Sequence, residues 1–95
     1  MKNEIADVVI SLNGRDKGKR FLIITAEEDG YSSLADGKAR RLEKPKRKKS
    51  KHIKPEGKLK SQVADKLKAG EKVTNNEIRR ALAEYTTELL EKGGM

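Results

Sequence analysis

Apolar positions fall in short runs over the first half of the chain and at helical spacing over the last third. Val8-Val9-Ile10-Ser11-Leu12 is short, apolar and β-branched, which predicts a strand with Val8, Ile10 and Leu12 on one face. Asn13 to Gly18 is polar, and Gly14 after Asn13 suits a turn position with positive φ. Lys19 to Ala26 predicts a second strand. Its centre, Phe21-Leu22-Ile23-Ile24, has no polar alternation, which requires burial on both faces or strong curvature. Glu27-Glu28-Asp29-Gly30 reads as an acidic turn, and Tyr31 to Ala35 as a third strand. Asp36-Gly37 is a hairpin signal that would lead into a fourth strand over Lys38 to Leu42. Ile53 is the one clear core candidate in the polar stretch that follows. Four or five short strands at intervals near ten residues predict a small barrel or curled sheet.

The period then changes. Thr74-Asn75-Asn76-Glu77 has the spacing of a capping box, with Val73 and Ile78 placed as a hydrophobic staple. Ile78, Ala81, Leu82, Tyr85 and Leu89 fall on one helical face, and Gly93 suits the helix end. A shorter helix is predicted from about Ser61 to Ala69, stopped by Gly70, with Val63 and Leu67 as its buried pair. The fold class is therefore mainly β with C-terminal α. The expected organisation is a barrel with a basic loop over 1–58 and a helical extension over 59–95. That extension would pack on the barrel to make a single domain, or on a partner protein.

Composition narrows the function classes. With 95 residues, of which 34% are hydrophobic, the chain buries only a small core, and a large catalytic pocket is not expected. It has no Cys and one His, so thiolate metal sites, Cys nucleophiles and His clusters are outside its chemistry. No apolar run approaches a membrane span, and Met1-Lys2-Asn3-Glu4 does not lead into a secretory apolar segment. The expectation is a cytoplasmic binding module without catalysis, cofactor or metal.

The net charge of +8 is unevenly placed. Residues 1–37 carry five basic and seven acidic groups, and residues 61–95 carry six of each. Residues 38–60 carry twelve basic groups against Glu43 and Glu56. Self-repulsion in that segment is relieved by a polyanion. Its densest part, Lys44-Pro45-Lys46-Arg47-Lys48-Lys49-Ser50-Lys51-His52, lacks the apolar residues of a membrane-inserting patch. A solvated loop and a localisation signal are its bland alternatives. With few apolar anchors, residues 44–51 are expected to be partly mobile without a ligand.

The segment from Val9 to Ile24, with Gly14 and Gly18 four residues apart between two apolar strands, resembles a KOW motif. The resemblance continues through Leu34-Ala35-Asp36-Gly37-Lys38, Arg40-Arg41-Leu42 and Lys51-His52-Ile53-Lys54-Pro55. In this order they look like the short KOW proteins of large ribosomal subunits and, more closely, like small bacterial KOW proteins with two added helices. The resemblance implies an SH3-like β-barrel that binds structured RNA, often ribosomal RNA, and no catalysis. Many ribosomal members continue into long RNA-penetrating tails, whereas this chain ends in a near-neutral helix.

Candidate phosphate contacts are Arg15, Lys17, Lys19 and Arg20 around the glycine turn, then Arg40, Arg41, Lys46, Arg47, Lys48, Lys49 and Lys51. Arg15, Arg40, Arg41 and Arg47 are weighted for specificity, because a guanidinium grips phosphate with two bonds and stacks on bases. Gly14 and Gly18 shape the turn and leave its backbone N–H groups approachable. Each charge taken singly has a solvated-surface reading, and His52 reads as packed beside Ile53. Three aromatics, Phe21, Tyr31 and Tyr85, are few for a single-strand reader, so phosphate tracking on folded RNA fits better. The expected partners are structured ribosomal RNA and ribosomal proteins, with a monomer as the default. The competing reading is a protein-interaction adaptor using the barrel and the amphipathic helix. The trio Glu27-Glu28-Asp29 reads as a solvated turn, not as acid–base machinery.

Overall fold

The computed structural model describes residues 3–27 and 29–93. Five strands, β1 (Asp7–Ser11), β2 (Arg20–Ala26), β3 (Tyr31–Ala35), β4 (Lys46–Lys49) and β5 (Ile53–Lys58), precede helices α1 (Gln62–Lys68) and α2 (Asn75–Gly93). All pairings are antiparallel, in the order β4-β3-β2-β1-β5. The two edge strands are thus consecutive in sequence, joined by a short 3-10 helix at Ser50–His52. Laid flat, five strands at roughly 4.8 Å spacing would hold β4 and β5 about 19 Å apart. Four residue steps from Lys49 to Ile53 reach only about 14 Å. The sheet therefore has to curl. The β3–β4 and β1–β5 ladders both run up to this connection, with the Ser50 N–H donating to the Gly30 carbonyl (2.8 Å) and the Leu12 N–H to the His52 carbonyl (2.9 Å).

Alternation along each strand divides the core in two. Val9, Phe21, Ile23, Leu34 and Ile53 fill the inside of the curled sheet. Val8 and Leu22 point the other way and join Ala6, Leu59, Val63, Ala64, Ile78, Ala81 and Leu82 beneath the helices, with Ile24 packed against them. The unbroken run Phe21-Leu22-Ile23-Ile24 thus serves two layers. On β1 the expected apolar face is only partly used. Val8 is buried, Ile10 is half-buried, and Leu12, one residue past the strand, is 45% exposed. Val9 and Ser11, on the opposite face, are buried.

The fourth strand lies elsewhere than expected. Residues 38–42 form a turn and loop, and β4 is the basic run itself, Lys46–Lys49. The cause is Asp36. Its Oδ1 accepts the backbone N–H groups of Lys38 (2.9 Å) and Arg40 (2.8 Å), which removes them from any strand ladder. The chain is turned back before it can pair. Residues 46–49 then pair with β3 in the register Tyr31↔Lys49, Ser32↔Lys48, Ser33↔Arg47 and Leu34↔Lys46. The segment read as a basic loop is in this fold, over Lys46–Lys49, a hydrogen-bonded edge strand.

The helices form as their spacing predicts. The Glu77 N–H donates to Thr74 Oγ1 (3.2 Å) and the Thr74 N–H donates to Glu77 Oε1 (3.1 Å), the two halves of the capping box. Ile78 is fully buried and Val73 packs against the same cluster. Burying one such aliphatic side chain is worth roughly 1.5–3 kcal/mol. In α1, Val63 is buried and Leu67 packs at the margin of the core. The first turn of α2 also holds the loop after β3. Asn75 Oδ1 accepts the Leu42 N–H (2.7 Å), and Asn75 Nδ2 donates to Glu43 (2.6 Å). Gly37, at φ +76°, lies flat against the same turn.

Candidate nucleic-acid interface

The turn between β1 and β2 is stabilised by its own backbone. The Lys17 N–H donates to the Gly14 carbonyl (3.2 Å) and the Gly18 N–H to the Ser11 carbonyl (2.8 Å). Gly14 (φ +77°) and Gly18 (φ +85°) both adopt left-handed backbone, and a Cβ at either position would meet nothing within 4 Å. The turn needs glycine for conformation, and its surface is open. Arg15 and Lys17 project from it into solvent.

Asp16 in this turn is the organising residue that charge counting overlooked. It is 6% exposed. Arg40 donates to its Oδ2 at 2.9 Å, and Lys19 approaches its Oδ1 at 4.0 Å. Burial alone would raise the Asp16 carboxyl, but the Arg40 hydrogen bond and the nearby charges of Arg40, Lys19 and Lys46 hold it below its ordinary range. One buried carboxylate thus gathers cations from the glycine turn, the loop after β3 and the start of β4. Lys48 adds to the group. It extends inward from β4, and its ammonium donates to Ser11 Oγ and to the Asn13 carbonyl (2.8 Å). Burial, reinforced by Lys46 and Arg40, lowers the Lys48 pKa in spite of Asp16. The only sequence signal for Asp16 was its place between two glycines that define a tight turn.

Beside this cluster, a groove of about 530 Å³ is lined by residues 39–41 and 43–47. Arg40, Arg41, Lys44, Lys46 and Arg47 face Glu43 alone across it. Arg41 contacts Glu43 at 3.4 Å, and both side chains are largely exposed. On the outer face of β4, Arg47 lies 3.8 Å over the Tyr31 ring and binds Glu27 and Asp29, while Lys49 stands 5.7 Å from the same ring. Glu28 of the acidic trio lies outside the described residues.

With Arg15 and Lys19 as exceptions, the cations of this rim divide by residue type. Arg40, Arg41 and Arg47, which the sequence favoured for specificity, each bind a carboxylate of the chain itself. Among the described residues, Lys44, Lys46, Lys48, Lys49 and Lys51 pair with none, and neither does Arg15. Arg20 is set apart from the group. The register Ile10↔Arg20 puts it on the helix side of the sheet, where it grips Glu56 with two bonds of 2.6 and 3.0 Å. That contact, assisted by Tyr85, holds the Glu56 carboxyl below its ordinary range. His52 sits beside the glycine turn, with Nδ1 2.8 Å from the Asn13 side-chain amide.

Among the described residues there is no cluster of His, Cys, Asp and Glu able to hold a metal, and no helix long and apolar enough to cross a membrane. What the arrangement offers chemically is a cationic rim around an open turn, with one aromatic ring at its edge. Compared with models of known protein families and with curated proteins, the chain matches none, so its function has to be read from this geometry.

Proposed function

We propose that the chain binds structured RNA, ribosomal RNA in the first instance, through the rim formed by the glycine turn, the loop after β3 and β4, and that it catalyses no reaction. The observation that carries this reading is the set of five lysines over residues 44–51 without a carboxylate partner among the described residues, three of them (Lys46, Lys48 and Lys49) on the edge strand β4 and the other two flanking it, beside the Gly14–Gly18 turn. Affinity comes from phosphate neutralisation and counterion release. The KOW-like order of the glycine turn, the Leu34-Ala35-Asp36-Gly37-Lys38 segment and the basic run supports RNA over DNA. A cytoplasmic location goes with such a partner.

The test is affinity against salt concentration for a folded ribosomal RNA fragment, with single-stranded RNA and duplex DNA as controls. Neutralising about five phosphates gives a log–log slope of roughly −4 to −5. Replacing Lys44, Lys49 and Lys51 by Gln is expected to flatten that slope by about 2–3. Equal, weak binding to all three nucleic acids, or a slope unchanged by the triple substitution, refutes the reading. A protein-docking role has one observation in its favour, the 69% exposed Leu90 on α2, the helix that walls a groove of about 290 Å³ against β5. Protein capture that survives nuclease treatment and is lost on Leu90→Asp would favour it.

A further inference from the structure

Tyr31, Arg47, Glu27 and Asp29 form a unit that phosphate tracking does not explain. The Glu27 N–H donates to the Tyr31 carbonyl (2.9 Å), and the Tyr31 N–H donates to Asp29 Oδ1 (3.1 Å). The acidic turn is thereby fixed to the ring it flanks. Arg47 Nε lies 3.2 Å from both Glu27 carboxylate oxygens, a terminal nitrogen lies 2.5 Å from Asp29 Oδ2, and the guanidinium covers the ring at 3.8 Å. Arg47 and Asp29 are about half exposed and Glu27 about a third. Ion pairs so open to water are weak enough for a competing anion to replace.

We propose that Tyr31 and Arg47 form a site for an unpaired nucleotide of a folded RNA, a bulged or loop base, closed in the free protein by Glu27 and Asp29. This rests on the RNA-binding reading above. A phosphate oxygen pair presents the same acceptor geometry to the guanidinium as a carboxylate does. A phosphate alone only exchanges one anion for another. A nucleotide that also stacks its base against the ring or the guanidinium plane adds a contact the carboxylates lack. Base–aromatic stacking contributes roughly 1–3 kcal/mol. The acidic turn thus acts as an internal competitor that makes Arg47 available to nucleotides with a free base and withholds it from regular backbone. The ligand is distinguished by what the carboxylates are unable to imitate.

The experiment uses the full chain with two synthetic RNA hairpins, identical except for one single-nucleotide bulge. The wild type is expected to prefer the bulged hairpin by about 5-fold or more, from the stacking range above. Tyr31→Leu should abolish the preference and leave affinity for the paired hairpin within twofold. Arg47→Lys, which keeps the charge and disturbs the sheet least, should also abolish it. The double variant E27Q/D29N should raise affinity for the paired hairpin more than for the bulged one. The distant double variant E84Q/E88Q removes the same charge and should act on both alike. A wild type without preference, a preference that survives both Tyr31→Leu and Arg47→Lys, or E27Q/D29N behaving as E84Q/E88Q overturns the inference. Failure of the wild type to bind either hairpin with a steep salt slope overturns the RNA-binding reading itself.

Discussion

Gly37→Ala is the substitution that best tests how the fold presents its cationic rim, because Gly14→Ala provides a matched control. Both glycines are left-handed, at φ +76° and +77°. A left-handed L-residue costs roughly 1–2 kcal/mol, and about 0.4–1 kcal/mol of that is offset by the reduced freedom of the unfolded chain. At position 14 that is the whole effect, since the new methyl meets nothing within 4 Å. At position 37 the methyl would lie 2.1 Å from the Asn75 carbonyl oxygen and 3.0 Å from the Arg79 nitrogen. Those atoms are helix backbone, so the first turn of α2 has to retreat by about an ångström. The retreat strains the Asn75 bonds to Leu42 and Glu43, each worth about 1 kcal/mol. Adding lost packing around Ile78, the total for Gly37→Ala is about 3–5 kcal/mol, against about 1 kcal/mol or less for Gly14→Ala. In a domain of this size each kcal/mol moves Tm by roughly 4–8 °C. Urea and thermal unfolding followed by circular dichroism separate the two variants. If Gly37→Ala loses no more than about 0.5 kcal/mol beyond Gly14→Ala, the docking of the β3–β4 loop on α2 does not carry the energy assigned to it here.

Arg20→Ala should lower stability by about 1–3 kcal/mol, through loss of two charge-assisted bonds to Glu56, and leave RNA affinity within twofold. Parallel denaturant titrations and filter binding check this, and a tenfold loss of affinity in a folded Arg20→Ala protein would return Arg20 to the interface. The pH dependence follows from Glu56, lowered chiefly by Arg20, and from Asp16, which Arg40 and its neighbours lower against the effect of burial. A carboxyl whose folded pKa lies below its unfolded one contributes stability that is complete above about pH 5 and is lost as pH falls through the folded value. Tm should therefore fall on acidification. The gap between wild type and Glu56→Gln should narrow steadily below about pH 4, and a gap independent of pH would contradict the pairing.

Much of the fold could be read along the chain because local and long-range signals agreed. The capping box, the staple and the Ile78-to-Leu82 stripe all specify one helix, and the unbroken apolar run at 21–24 called for burial on both faces or strong curvature, the first of which the two core clusters supply. The fourth strand was misplaced because β4 has no apolar residue to announce it. Lys46–Lys49 is a strand only because Leu34 and Ser32 on β3 present a partner edge and the curl closes over it. Asp36 was read as part of a hairpin turn, yet its carboxylate ends the chain direction that the hairpin required. The charged rim was visible as a count of lysines and arginines. Arg41 meets Glu43 only two residues on, but the carboxylates that hold Arg20, Arg40 and Arg47 lie 18 to 36 residues away in sequence, as with Arg47 and Asp29 or Arg20 and Glu56. No local pattern encodes those distances.

The lysine edge has a second consequence, for self-association. An unpaired strand edge is a template on which another strand can add, and continued addition leads to aggregates. Here that edge, β4, is built wholly of Lys and Arg, so two copies approaching edge to edge meet like charge against like charge. The residues proposed to attract a polyanion also disfavour pairing of one β4 edge with another. Any chemistry that neutralises these lysines, acetylation for example, would remove both properties together, weakening the proposed attraction for a polyanion and uncovering a sticky edge in one step.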